Sequence, residues 1–69
     1  IVDNYSGAIT IGESYEFKYR GDYVINIDND NIKYENNRII AVREGTSTIT
    51  IVDKNDDVLY SKTIKIFPN

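Results

Sequence analysis

The side chains able to do chemistry here are carboxylates, carboxamides, lysines and tyrosines. Histidine and cysteine are absent. That removes disulfides, Cys/His zinc sites, thiol nucleophiles, imidazole bases and the Ser-His-Asp triad. Asp53-Lys54-Asn55-Asp56-Asp57 places Asp or Asn at alternate positions, as a calcium loop does. An EF-hand loop counted from Asp53 needs glycine sixth and glutamate twelfth, where this chain has Val58 and Ile64. The run therefore reads as the polar tip of a hairpin. Asp28-Asn29-Asp30-Asn31 is a second acidic, turn-rich run. Weak calcium binding between loops is its rival reading, and no cofactor or metal is assigned. Glu16, Lys18 and Arg20 fall on one strand face and read as solvated. Paired carboxylates for glycosidic chemistry need a cleft, for which so small a chain has no room, so no enzymatic activity is expected. An autocatalytic Lys–Asn cross-link needs a buried lysine. Lys62, in phase with Tyr60 and Ile64, is the candidate; a strand-end lysine reaching water is the simpler reading.

Tyrosines occur at positions 5, 15, 19, 23, 34 and 60. Exposed rings of this kind stack on sugars. Tyr15, Tyr19, Tyr23 and Tyr34 instead share the apolar phase of their segments, which assigns them to packing. Tyr5 lies outside any alternation.

These groups must be positioned by strands. Apolar residues recur at period two and nowhere at helical spacing. Tyr15, Phe17 and Tyr19 alternate with polar residues over Ser14 to Arg20. Further strands are expected at Ile9 to Ile11, Tyr23 to Ile27, Ile32 to Tyr34, Arg38 to Val42, Thr46 to Val52 and Val58 to Phe67. The expected inward set is Ile9, Ile11, Tyr15, Phe17, Tyr19, Tyr23, Ile25, Ile27, Ile32, Tyr34, Ile39, Ala41, Ser47, Ile49, Ile51, Ile64 and Ile66. Asn37 is a candidate for left-handed backbone. About seven short strands with frequent turns predict an all-β fold, a small antiparallel β-sandwich. Val24, Ile40 and Val42 fall on the phase opposite the core. They are expected either to lie under aliphatic stems such as Lys18 and Arg20 or to form a small contact patch.

The chain has 69 residues, a size that fits one domain spanning 1–69. With eight Lys and Arg against eleven Asp and Glu, its net charge of −3 argues against nucleic acid as a partner. No apolar run nears the roughly 20 residues that span a bilayer, so no membrane insertion is expected. There is no methionine, and the chain reads as a domain excised from a longer protein.

Asn36-Asn37-Arg38-Ile39-Ile40-Ala41-Val42-Arg43-Glu44-Gly45-Thr46-Ser47-Thr48-Ile49-Thr50-Ile51 resembles the bacterial immunoglobulin-like domain, group 2. That family carries a Gly- or Asn-containing turn, then Val/Ile-x-Ala, a short polar run and Gly-Thr-x-x-Ile. Ile11-Gly12-Glu13-Ser14-Tyr15 resembles the segment opening its second strand, and Thr63-Ile64-Lys65-Ile66 its closing strand. Many members carry a Trp near Ile25 or Ile27; this chain has no Trp. The resemblance implies an Ig-like sandwich in a bacterial cell-surface or phage virion protein, outside the cell. There it would serve as spacer or adhesion module, with neighbouring domains or a host surface protein as partners. The alternative it implies is an accessory module binding carbohydrate or cell wall.

Overall fold

The computed structural model describes the backbone of residues 2–3 and the whole of residues 7–69. Eight strands follow one another, with no helix among the described residues: β1 Val2–Asp3, β2 Ala8–Thr10, β3 Ser14–Lys18, β4 Val24–Ile27, β5 Ile32–Glu35, β6 Arg38–Ala41, β7 Gly45–Val52 and β8 Val58–Phe67. They form two sheets, ordered β1-β3-β6-β5 and β2-β8-β7-β4. The two sheets pack as an all-β sandwich, with the strand order of an immunoglobulin-type fold. The expected alternation sets which side chains face the partner sheet. Tyr15 and Phe17 of β3, Ile39 and Ala41 of β6, Ile49 and Ile51 of β7, and Ile64 and Ile66 of β8 are all buried. Ile11, Tyr19, Ile25, Ile27, Tyr34 and Tyr60 pack around them, partly buried.

Three details depart from the sequence expectation. Tyr23 does not point into the core. It precedes β4, is 37% exposed, and its ring folds back over the Cα of Gly21, whose φ is +102°. The turn at Gly21 shifts the chain before β4 begins, so alternation cannot be run back through it. Secondly, β2 pairs with β8 in parallel, Ala8 opposite Lys65 and Thr10 opposite Phe67, whereas the other pairings among the described residues are antiparallel. Thirdly, the two-residue strand β1 joins the first sheet beside β3.

Turn chemistry closes the hairpins. Asn36 and Asn37 join β5 to β6 with φ of 50° and 62°. Two positive φ values in a two-residue loop make a type I′ turn, whose twist matches the flanking strands. Asparagine tolerates this backbone better than most residues. The β7–β8 hairpin is longer and contains a register shift. Ile51 pairs with Tyr60 and Val52 with Val58, which leaves Leu59 as an extra residue, a β-bulge.

Candidate functional site

The Asp28–Asn31 run crosses from β4 in one sheet to β5 in the other, and hydrogen bonds tie it to the start of β7. Asn29 Nδ2 donates to the Thr46 carbonyl at 2.8 Å. Asn29 Oδ1 accepts from the Ser47 hydroxyl at 2.7 Å and from the Asn31 N–H at 3.0 Å. Asp28 Oδ1 accepts the Thr48 N–H at 2.8 Å. The Asn31 carbonyl accepts the N–H groups of Val42 and Arg43. Ser47 is fully buried, and Asn29 satisfies its hydroxyl. Gly45 has φ +140°, and a Cβ there would stand 2.7 Å from Asn31 Nδ2. The backbone angle favours glycine, and a Cβ would displace the Asn31 carboxamide, whose Nδ2 donates to the Thr46 carbonyl. Asp28, Asn29 and Asn31 thus tie the loop to β7 and to the chain just past β6.

The second acidic run behaves in the same way. Asp53 Oδ1 accepts the N–H of Asn55 at 2.8 Å and of Asp57 at 3.0 Å. The Asp53 carbonyl accepts the Asp56 N–H, with Asp56 at φ 63°. This is an Asx-type turn at a hairpin tip. Among the described residues no three acidic side chains gather as a metal ion would need.

The charged face of β3 carries one short-range pair, Lys18 Nζ to Glu16 Oε2 at 3.4 Å, and β5 another, Lys33 Nζ to Glu35 Oε1 at 3.6 Å. Both pairs are about half exposed and contribute little to stability. Arg38 donates from Nε to the Ser14 hydroxyl and from Nη2 to the Ser14 carbonyl. Lys62 Nζ lies 5.7 Å from the centre of the Tyr15 ring, a cation–π arrangement at the inner margin of β8. Among the tyrosines, Tyr5 lies outside the described residues. Tyr34 donates its hydroxyl to the Phe17 carbonyl at 2.7 Å, and its ring meets Phe17 edge-on with centroids 6.1 Å apart. Burial, and secondarily the neighbouring Tyr19, push the Tyr34 phenol above its usual value.

Val24, Ile40 and Val42 are not brought together. Ile40 faces out from β6 in the first sheet, half-buried between its cross-strand neighbours Ser14 and Lys33 rather than under Lys18 and Arg20. Val42 continues the same phase just past β6 and is exposed. Val24 faces out from β4 in the second sheet, opposite Val52 of β7. Val52 in turn pairs with Val58 at the bulge. Val52 is only 8% exposed yet stands apart from the core cluster, while Val24, Val58 and Leu59 are all exposed. The apolar group on this face is therefore Val24 with Val52, Val58 and Leu59, at the hairpin end of the second sheet. Sequence reading missed the last three. The one available signal was Val52 following inward Ile51, which puts it on the outer face; the bulge that adds Leu59 has no signature in residue type. Searches of protein-family models, of curated proteins and of solved structures each found no match to this chain.

Proposed function

We propose that this chain is a bacterial immunoglobulin-like module of the group 2 type. It acts without enzymatic activity as a spacer or interaction domain of a bacterial cell-surface or phage virion protein. The observation that carries this reading is the direction of the chain. β2 and β8 run parallel, so the polypeptide travels lengthwise. The tight turn after Thr10 puts Ser14 at the Phe67 end of the molecule, where the Ile11 N–H meets the Phe67 carbonyl. Lys18, and Val2 paired with it, then lie towards the opposite end. A module measuring 38 × 18 × 18 Å that is entered at one end and left at the other extends a tandem array, as a spacer must.

The test joins two copies in tandem and measures small-angle X-ray scattering. End-to-end stacking nearly doubles the maximum dimension over one copy. A tandem pair folded back to little more than one copy's length rejects the spacer reading. The carbohydrate-binding alternative rests on Tyr23, whose exposed ring sits on the β3–β4 turn. Titration with cell-wall glycan fragments that moves the Tyr23 ring resonances would favour it over a pure spacer.

A further inference from the structure

We infer that two copies of this chain pair edge to edge through β4, in antiparallel register about a two-fold axis passing between the two Asn26 residues.

The hydrogen-bond phase of β4 carries it. The Asp28 N–H donates to the Thr48 carbonyl across the β4–β7 pair. Residues facing each other in an antiparallel pair alternate between bonded and non-bonded. By register, Asn26 opposite Thr50 and Val24 opposite Val52 are then bonded pairs. Ile25 and Ile27 are not, and their N–H and C=O groups point away from β7 to the open edge. β4 is the terminal strand of its sheet.

Edges are normally blunted by charge, proline, bulges or extreme shortness. The other three edge strands of the sandwich are blunted: β5 carries Lys33 and Glu35, β2 has three residues, and β1 has two. β4, Val24-Ile25-Asn26-Ile27, has no charge and no proline. The bulge of its sheet lies between β7 and β8. Ile25 and Ile27 are also only partly buried, whereas their neighbours Ile51 and Ile49 in β7 are fully buried. The flank of the core is open at this strand.

The strand that fits must run antiparallel or parallel with bonding groups in this phase and bring apolar residues two apart to the core side. A second β4 does both. With Asn26 opposite its own copy, Ile25 faces the partner's Ile27 as a bonded pair, and the reciprocal pair does the same. Each pair exchanges two hydrogen bonds and closes the open flank with isoleucine. The interface is isologous, as a two-fold requires. Two four-stranded sheets become one sheet of eight strands, four from each copy. A contact this small belongs with weak, transient interfaces, with Kd on the order of 1 mM.

The experiment is sedimentation equilibrium of the chain from about 0.05 to 2 mM, a span chosen to bracket that Kd. It is paired with amide hydrogen exchange over the same range. The parent associates, and exchange at Ile25 and Ile27 slows with concentration while that at Val24 and Asn26 does not change. Asn26 is exposed, so charge there is tolerated by the monomer. Asn26→Lys and Asn26→Asp each weaken association at least tenfold, because like charges meet on the axis. Their equimolar mixture restores it. Leu59→Lys, on the outer face, leaves association intact. A parent that stays monomeric, association that survives Asn26→Lys, a mixture no more associated than either variant, or loss with Leu59→Lys overturns the proposal.

Discussion

Ile49 and Thr48 are adjacent on β7 and face opposite ways. Ile49 is fully buried between the sheets, whereas Thr48 faces outward beside Thr63, their hydroxyls 3.4 Å apart. Truncating a buried isoleucine removes its transfer energy and leaves a cavity, so Ile49→Ala costs about 2–5 kcal/mol. Thr48→Ala keeps the backbone bond to Asp28 and costs about 0.5 kcal/mol. Urea denaturation of the two variants against the parent reads this contrast, and a reversed order would put β7 in the wrong phase. Tyr34 gives a pH signature. Its folded-state value lies above the unfolded one, so the unfolded chain loses this proton first as the solution turns alkaline. The stability it contributes is whole below the unfolded value near pH 10 and is lost as pH rises through the folded value. The urea midpoint falls over that window, and it falls less in Tyr34→Phe. At this scale the sequence is largely readable, because burial follows alternation: phase alone places Ser47 and Ala41 inward, and both are buried. Alternation places Tyr23 inward, but the backbone turn at Gly21, not residue type, decides where its ring goes.

Among the connecting elements, the β4–β5 loop crosses from one sheet to the other and is bonded to β7. Asn29 bonds β7 from both ends of its carboxamide and also satisfies buried Ser47. Asn29→Ala leaves that hydroxyl buried without its acceptor and costs about 1–3 kcal/mol. Thermal unfolding of Asn29→Ala beside Asn29→Asp separates the two contributions, since aspartate keeps the acceptor and loses the donor. A loss in Asn29→Asp equal to that in Asn29→Ala would show that the bond to Thr46 alone matters. The loop's turn character was legible in Asp28-Asn29-Asp30-Asn31. Its partners were not, since they lie 17 to 20 residues away in sequence. The same limit applies to the apolar face. Phase alone puts Val24 on the outer face, but its grouping with Val52 and Val58 depends on which strands pair, and periodicity contains no pairing information. The Asn36-Asn37 turn was half legible: Asn37 was expected in the left-handed region, and Asn36 joins it there.

For the whole molecule, both acidic loops face the same question of calcium. Asp28 and Asp53 each turn a carboxylate oxygen onto backbone N–H groups. Among the described residues no three acidic side chains gather to hold an ion, and ligand stabilisation grows only once concentration exceeds Kd. Millimolar calcium is therefore expected to move the melting temperature by less than about 2 °C. A rise of many degrees would reveal a site assembled in some other way. The all-β class and sandwich architecture were legible because no segment has helical periodicity and turn residues recur at short intervals. The parallel pairing of β2 with β8 was not, because three residues, Ala8–Thr10, do not say which strand they join or in which direction.

That pairing has a mechanical consequence. Tension applied through the two ends of the sandwich draws β2 and β8 in opposite directions along their own axes. The bonds between them, including Lys65 N–H to the Gly7 carbonyl and Ile11 N–H to the Phe67 carbonyl, are then loaded together in shear rather than opened one at a time. Forced unfolding is governed by the barrier to this first rupture. Pulled from its ends, the molecule should yield at a higher force than when gripped at Glu44 and Asn69, where β7 and β8 unzip pair by pair. Single-molecule stretching in the two geometries measures the difference, and equal rupture forces would show that the β2–β8 seam bears no load.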